Sequence, residues 1–296
     1  MDPFGFALVG VLLFAACSTT RFEAEAPHDQ GIAARYADDK GIQDDPAVLY
    51  FGDFESDSWY TSWDTNKPEN GDLVSWDPTE RFAPFQGKAL RVTIPAGDVL
   101  GISAFRTVSR AEEIYFRYYL RFGNNWRTLD GGKLPGPTGD LSTCGNGGRP
   151  CNGTDGWSAR GAFDVVDRSG RIRIGSYIYD GEMARRGDAY GTQFFWGRVE
   201  TNRWYSVEHH IKMNTIGQRN GIYRGWIDGR LSFQKTDLVF RKVDRLKIES
   251  IWMNIYHGGE TPVDRTIHLY LDNIVIARSY IGPMGSASLP GGTVHE

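Results

Sequence analysis

The ten residues from Glu113 to Phe122 alternate with a period of two. Ile114, Phe116, Tyr118, Leu120 and Phe122 fall on one side; Tyr115, Arg117, Tyr119 and Arg121 fall on the other. Successive side chains of a strand point to opposite faces, so this run is a β-strand with one fully apolar face. Such a face must be buried against a second layer. Shorter alternating runs recur at 89–94, 161–166, 171–179, 204–213, 223–227 and 246–256, with turn residues between them. The segment 48–55 reads as a first strand and 267–276 as a last one. Asp228-Gly229 sits between two such runs as a hairpin turn. No long stretch carries the 3.6-residue period of a helix, and the 36 glycines supply turns. These features predict an all-β domain of two antiparallel sheets packed face to face.

The ends of the chain read differently. Phe4 to Ala16 is apolar, too short to span a bilayer and the right length for an export signal. Small residues precede Cys17, as in a bacterial lipoprotein signal, which makes Cys17 a candidate lipidation site. Residues 1–17 are thus expected as a signal segment, 18–45 as a flexible tether, 46–281 as the folded domain and 282–296 as a loose tail. Export to the bacterial envelope, or secretion, follows, with membrane contact only through the lipid anchor. After Cys17 only Cys144 and Cys151 remain. They flank a tight Gly-rich loop with no further Cys or His ligand nearby, so a disulfide is expected and a metal site is not. The net charge of −4 argues against a nucleic-acid partner. It leaves room for an acidic polymer, because a cleft can be locally basic on an acidic protein.

One stretch concentrates unusual chemistry. Gly-Gly-Lys-Leu-Pro-Gly at 131–136 carries Lys133 in a Gly-rich loop. Gly-Trp-Ser-Ala-Arg at 156–160 carries Ser158 and Arg160 two apart, hence on one strand face. Ser-Tyr-Ile-Tyr-Asp at 176–180 does the same for Tyr177 and Tyr179. Most strand arginines and Tyr-x-Tyr pairs are structural, so the joint occurrence carries the weight. If the strands are neighbours, the five groups converge on one concave surface. Together they suit removal of a proton beside the carboxylate of an acidic sugar. That proton is weakly acidic because its loss adds negative charge next to an existing one. Arg160 can grip the carboxylate with a fork of donors. Lys133 adds a point charge and can move a proton if its pKa is lowered. Nearby cations can bring tyrosines into acid–base work. Ser158 is expected to orient the carboxylate or a tyrosine.

The same elements, with the Lys-Met-Asn-Thr-x-Gly…Asp-Gly segment that follows, resemble polysaccharide lyase family 14 over roughly 110–275. The resemblance implies a β-jelly-roll with a concave substrate cleft and cleavage of a uronic-acid polymer, alginate or a related polyuronate, by β-elimination without a required cofactor. It implies catalytic roles for Lys133, Ser158, Arg160, Tyr177 and Tyr179. The loop bearing Cys144 and Cys151 is an insertion relative to the family pattern. Further candidates for sugar contact are Arg117, Tyr119, Gln193 and His257. His209 and His210 are adjacent, so they face opposite ways and are expected to be structural. Asp53 or Glu55 with Asp272 could hold a structural calcium ion joining first and last strands. The chain is expected to act as a monomer on an acidic polysaccharide. The alternative is a non-catalytic cell-surface carbohydrate-binding lipoprotein. A glycoside hydrolase would need two carboxylates across a sugar bond, and only Glu249 draws notice as an interior strand acid.

Overall fold

The computed structural model describes residues 31–78 and 81–284. Fifteen strands follow in chain order: β1 (Val48–Gly52), β2 (Gly71–Val74), β3 (Ala89–Ile94), β4 (Leu100–Ala111), β5 (Glu113–Phe122), β6 (Gly132–Leu134), β7 (Gly136–Gly139), β8 (Trp157–Val166), β9 (Arg171–Tyr179), β10 (Thr192–Glu200), β11 (Tyr205–Lys212), β12 (Gly221–Ile227), β13 (Arg230–Leu238), β14 (Ile248–His257) and β15 (Ile267–Ala277). They form two antiparallel sheets stacked as a β-jelly-roll sandwich. The eight-stranded sheet runs β13-β12-β11-β5-β15-β3-β2, with β1 also on β15. The seven-stranded sheet runs β10-β9-β8-β6-β14-β4, with β7 pairing β14 and β8.

The alternation seen in the sequence builds the core. Ile114, Phe116, Tyr118, Leu120 and Phe122 of β5 all point between the sheets. There they meet Leu134, Trp157, Ala159, Phe163 and Ile178 of the other layer, all essentially inaccessible to solvent. Each fully buried large side chain of this kind contributes on the order of 2–3 kcal/mol through removal of apolar surface from water. The Asp228-Gly229 turn joins β12 to β13 as expected. Both residues have positive φ, at 50° and 75°, which matches the right-handed twist of the hairpin. The strands β4 and β10 carry no clean alternation and were not expected.

Two terminal expectations change. Residues 31–45 are not a tether: three 3-10 turns, Ile32–Arg35, Ala37–Asp39 and Ile42–Asp44, pack on the outer face of the eight-stranded sheet. Ile32, Ala33 and Ile42 bury against Val275, Ala277 and Ile281, which supplies the apolar anchor that the charged composition concealed. At the other end, Gly282 and Met284 are held by hydrogen bonds to Glu208 and Tyr119. The signal segment with Cys17, and residues 285–296, lie outside the described residues.

Candidate active site

Lys133, Ser158, Arg160, Tyr177 and Tyr179 meet on the outward face of the seven-stranded sheet, because register places them there. Ser158 lies directly across from Tyr179, and Arg160 across from Tyr177. Lys133 lies across from Ala162 on one side and from Tyr256 on the other. Opposed residues of an antiparallel pair share a face. Lys133 is not in a loop, as its glycines suggested. It sits in the short strand β6, wedged between β8 and β14, with Leu134 turned into the core. Gly136 of the same motif allows close approach: a Cβ there would fall 2.6 Å from the Cα of Arg160.

The site holds two cations and no paired acid. Arg160 is 4% exposed, yet among the described residues its single hydrogen bond runs from Nη1 to Asn254 Oδ1 at 2.7 Å. Its Nε finds no acceptor. The guanidinium lies 4.6 Å from the Trp252 ring centre and 5.8 Å from that of Tyr177. Burial draws its pKa down to about 10, so it stays cationic at neutral pH. The Lys133 ammonium sits 3.9 Å from the Tyr177 ring centre. Burial, then the charge of Arg160, brings its pKa down to about 8, with Asp130 pulling weakly the other way. Neither cation has an ion-pair partner among the described residues.

The two phenols differ. Tyr177 is half-buried at the opening, and burial together with its bond to Tyr179 raises its pKa, so it is a neutral proton donor. Tyr179 is 1% exposed beneath it, the ring centres 5.5 Å apart. Its oxygen accepts a long hydrogen bond, 3.4 Å, from Gly148 N–H. Gly148 belongs to the loop closed by the expected Cys144–Cys151 disulfide. Ser158 is fully buried, and its hydroxyl donates to Gly145 O of that loop at 2.6 Å. Ser158 therefore ties the stapled loop to β8 and does not present its hydroxyl to the cleft.

The remaining candidates separate. Gln193 is exposed on β10 directly across from Tyr177, on the cleft face. Arg117 and Tyr119 lie on the outer face of the other sheet, away from the cluster. Arg117 is fully buried in an ion pair with Asp39, and Tyr119 is stacked under Phe85, so neither can reach a sugar held beside Arg160. The misreading came from the polar face of β5, which the N-terminal turns cover. His257 is also fully buried. Its Nδ1 donates to Thr261 O, and its Nε2 accepts from the amides of Leu129 and Asp130, which fixes the loop entering β6. His209 and His210 are buried and neutral, their pKa values drawn down to about 3 and about 4 by burial. Asp53 and Glu55 lie near enough to Asp272 for their charges to add to the burial that raises its pKa. Among the described residues the one trio of metal-ligating side chains within 4.8 Å is Cys144, Cys151 and Asp155, whose sulfurs are joined. Both oxygens of Asp272 accept backbone amides, from Gln86 and Asn273.

Sequence reasoning missed three cleft residues on β14. Trp252, Asn254 and Tyr256 alternate with buried Ile251, Met253 and Ile255. That alternation was readable, but nothing in it marked the outward face as the functional one.

No curated protein sequence matches the chain. The sequence profile of Polysaccharide lyase 14 matches residues 87–267. Among solved structures, the alginate lyase vAL-1 from Chlorella virus superposes with a TM-score of 0.63 at 16% identity, covering 78% of this chain and 99% of that one. The marine PL-14 alginate lyase from Aplysia kurodai gives 0.60 at 16% identity, with the same coverage of 78% and 99%. An endo-β-1,4-glucuronan lyase from the fungus Trichoderma reesei gives 0.50 at 14% identity, covering 78% and 95%. These likenesses establish the shared fold, and the profile match covers more than half of the sequence: the chain belongs to polysaccharide lyase family 14.

Proposed function

We propose that the protein cleaves a polyuronate, alginate or a close relative, by β-elimination at the face that carries Lys133, Arg160 and Tyr177. One observation carries the reading. Two buried or half-buried cations lack any carboxylate of their own and stand beside paired phenols. Keeping a desolvated charge unpaired is costly, and a substrate carboxylate removes that cost when it binds. The names of the structural relatives point the same way, since alginate and glucuronan both carry that carboxylate on every sugar.

In this reading the residues take the following roles. Arg160 neutralises the uronate carboxylate and stabilises the dianionic intermediate that forms when the neighbouring proton leaves. Lys133, whose pKa lies nearest neutrality, takes the proton from C5 in its amine form. The C5–H electrons form the C4–C5 double bond as the C4–O4 bond breaks. The neutral phenol of Tyr177 gives its proton to the departing O4, and Lys133 and Tyr177 then exchange a proton to reset the site. Tyr256, half-buried beside the cluster, offers a flat face to a neighbouring sugar, while both faces of Trp252 are taken by Arg160 and Phe105. Export is part of the proposal. The Cys144–Cys151 disulfide suits an oxidising compartment, in keeping with the signal-like segment that ends at Cys17.

Incubation with alginate, glucuronan and other polyuronates should yield products whose new double bond absorbs in the ultraviolet. Absence of that absorbance across the whole panel refutes the proposal.

A further inference from the structure

We propose that Asn254 is the second donor of the carboxylate grip, its Nδ2 and the free N–H groups of Arg160 together holding the uronate carboxylate. The proposal rests on the lyase reading above and adds a residue to it.

The orientation of the Asn254 amide is set by its neighbour. A guanidinium can only donate, so the atom facing Arg160 Nη1 at 2.7 Å must be the carboxamide oxygen. Nδ2 therefore turns away from Arg160. Asn254 is 5% exposed, and no protein group among the described residues accepts its N–H bonds. Arg160 likewise keeps a donor that no protein group accepts: its Nη1 is bound to Asn254, and its buried Nε is unsatisfied. Two adjacent groups thus carry N–H donors that no protein atom among the described residues accepts. A carboxylate supplies two charged, coplanar acceptor oxygens, one for each group, where a sugar hydroxyl supplies a single neutral one.

The surroundings hold this pair in place. Trp252, two residues earlier on the same face of β14, carries the Arg160 guanidinium over its ring. Its indole N–H donates to Ser103 at 3.0 Å, and Phe105 stacks on its other side at 5.1 Å. Asn254 is itself registered opposite Ser103. A carboxamide also does something that a carboxylate cannot: it orients Arg160 without cancelling its charge. An acid at this position would give Arg160 an internal partner and leave nothing for the substrate.

Asn254→Asp tests this directly. The substitution preserves shape and offers Arg160 a stronger acceptor. Because the new carboxylate also gives Arg160 an internal partner, a fall in activity shows that the Arg160 charge must stay open, and Asn254→Ala decides whether Nδ2 itself donates. The proposal predicts a correctly folded protein whose kcat/KM on polyuronate falls about a hundredfold or more, with kcat falling as well as KM rising. Retention of kcat/KM within about threefold overturns it. Asn254→Ala, which removes Nδ2 and adds no charge beside Arg160, then decides: a drop of about tenfold or more in kcat supports the proposal, and wild-type kcat overturns it. Wild-type protein inert on every polyuronate would sink the lyase reading itself, whereas active wild type with an equally active variant sinks only the role of Asn254.

Discussion

Arg117 and Arg160 are both buried strand arginines, 0% and 4% exposed, one on the outer face of each sheet. Arg117 has a counter-charge, although its Nε, like that of Arg160, lacks an acceptor. It pairs with Asp39, donates to Gly282 O at 2.9 Å, and lies over the Tyr119 ring. Arg160 has a neutral amide and a ring, and no acid. The first arrangement is closed, with both terminal segments folded over it as a lid of fixed structure. The second is open and electrostatically incomplete. A buried charge completed inside the protein marks architecture; one left for an outside partner marks a site. Either arginine alone would look like the other in sequence.

The largest effect should come from the cation that moves a proton. Lys133→Met should lower kcat by about 10³–10⁴-fold while leaving the fold intact, read by ultraviolet product formation and melting temperature. In the wild type, the amine form is scarce below the Lys133 pKa of about 8. The rate should therefore climb about tenfold per pH unit from pH 6 toward pH 8 and then level off. A flat profile across that range removes Lys133 as the base. Next comes Arg117→Met, which leaves Asp39 buried without a counter-charge, with Asn273 Nδ2 at 3.3 Å as a neutral donor. It should cost about 3–5 kcal/mol of stability in denaturant titration. Replacing Asp39 with Leu as well should recover most of that loss, because the penalty lies in the orphaned charge. The single variant, where it folds, should keep its activity per folded molecule.

Arg160→Met then breaks the comparison if anything does. It should cut kcat/KM by about 10²–10³-fold, the scale of losing a transition-state charge stabiliser. Its stability should hold or rise, since an unpaired desolvated cation has been removed. A destabilisation as large as that of Arg117→Met would show that Arg160 is another structural arginine, and the site assignment would fall with it.

Much of this architecture is legible in the amino-acid sequence. Period-two alternation in 113–122 determines which side of β5 enters the core, and the two-residue spacings of Ser158 with Arg160 and of Tyr177 with Tyr179 put each pair on one face. What alternation does not reveal is what lies over the other face. Arg117 and Tyr119 read as free to contact a sugar, yet residues 31–45, 81–85 and 281–284 cover Arg117, Tyr119 and Arg121. The covering by 31–45 depends on Ile32, Ala33 and Ile42, three apolar residues dispersed in a charged segment. Asn254 is invisible for a different reason. Its significance comes from a bond to a strand 94 residues away in sequence, and from an acceptor that is missing. His257 misleads because a strand end beside a cleft is a good place for a base. Here both ring nitrogens are spent on loop backbone.

The stapled loop of 140–156 offers the finest distinction between the two regions. On the Arg117 side, the covering segments are held by apolar burial and a buried ion pair. On the cleft side, the covering loop is held by a disulfide, by Ser158 and by a long bond to Tyr179. Cys144 and Cys151 pack directly against Tyr179 and Met183. Replacing both cysteines with serine should cost about 2 kcal/mol of stability, the amount the chain-entropy argument gives for so short a loop. If the loop only braces the fold, activity per folded molecule will be unchanged. If it holds Tyr179 beneath Tyr177, kcat should fall by about tenfold, the smallest of these effects on rate. Mild reductant on the wild type should reproduce the same fall, and reoxidation should restore it. The Asp39 side contains no thiol, so reductant should leave the stability contributed by Arg117 untouched. That contrast separates local loosening at the cleft from general unfolding.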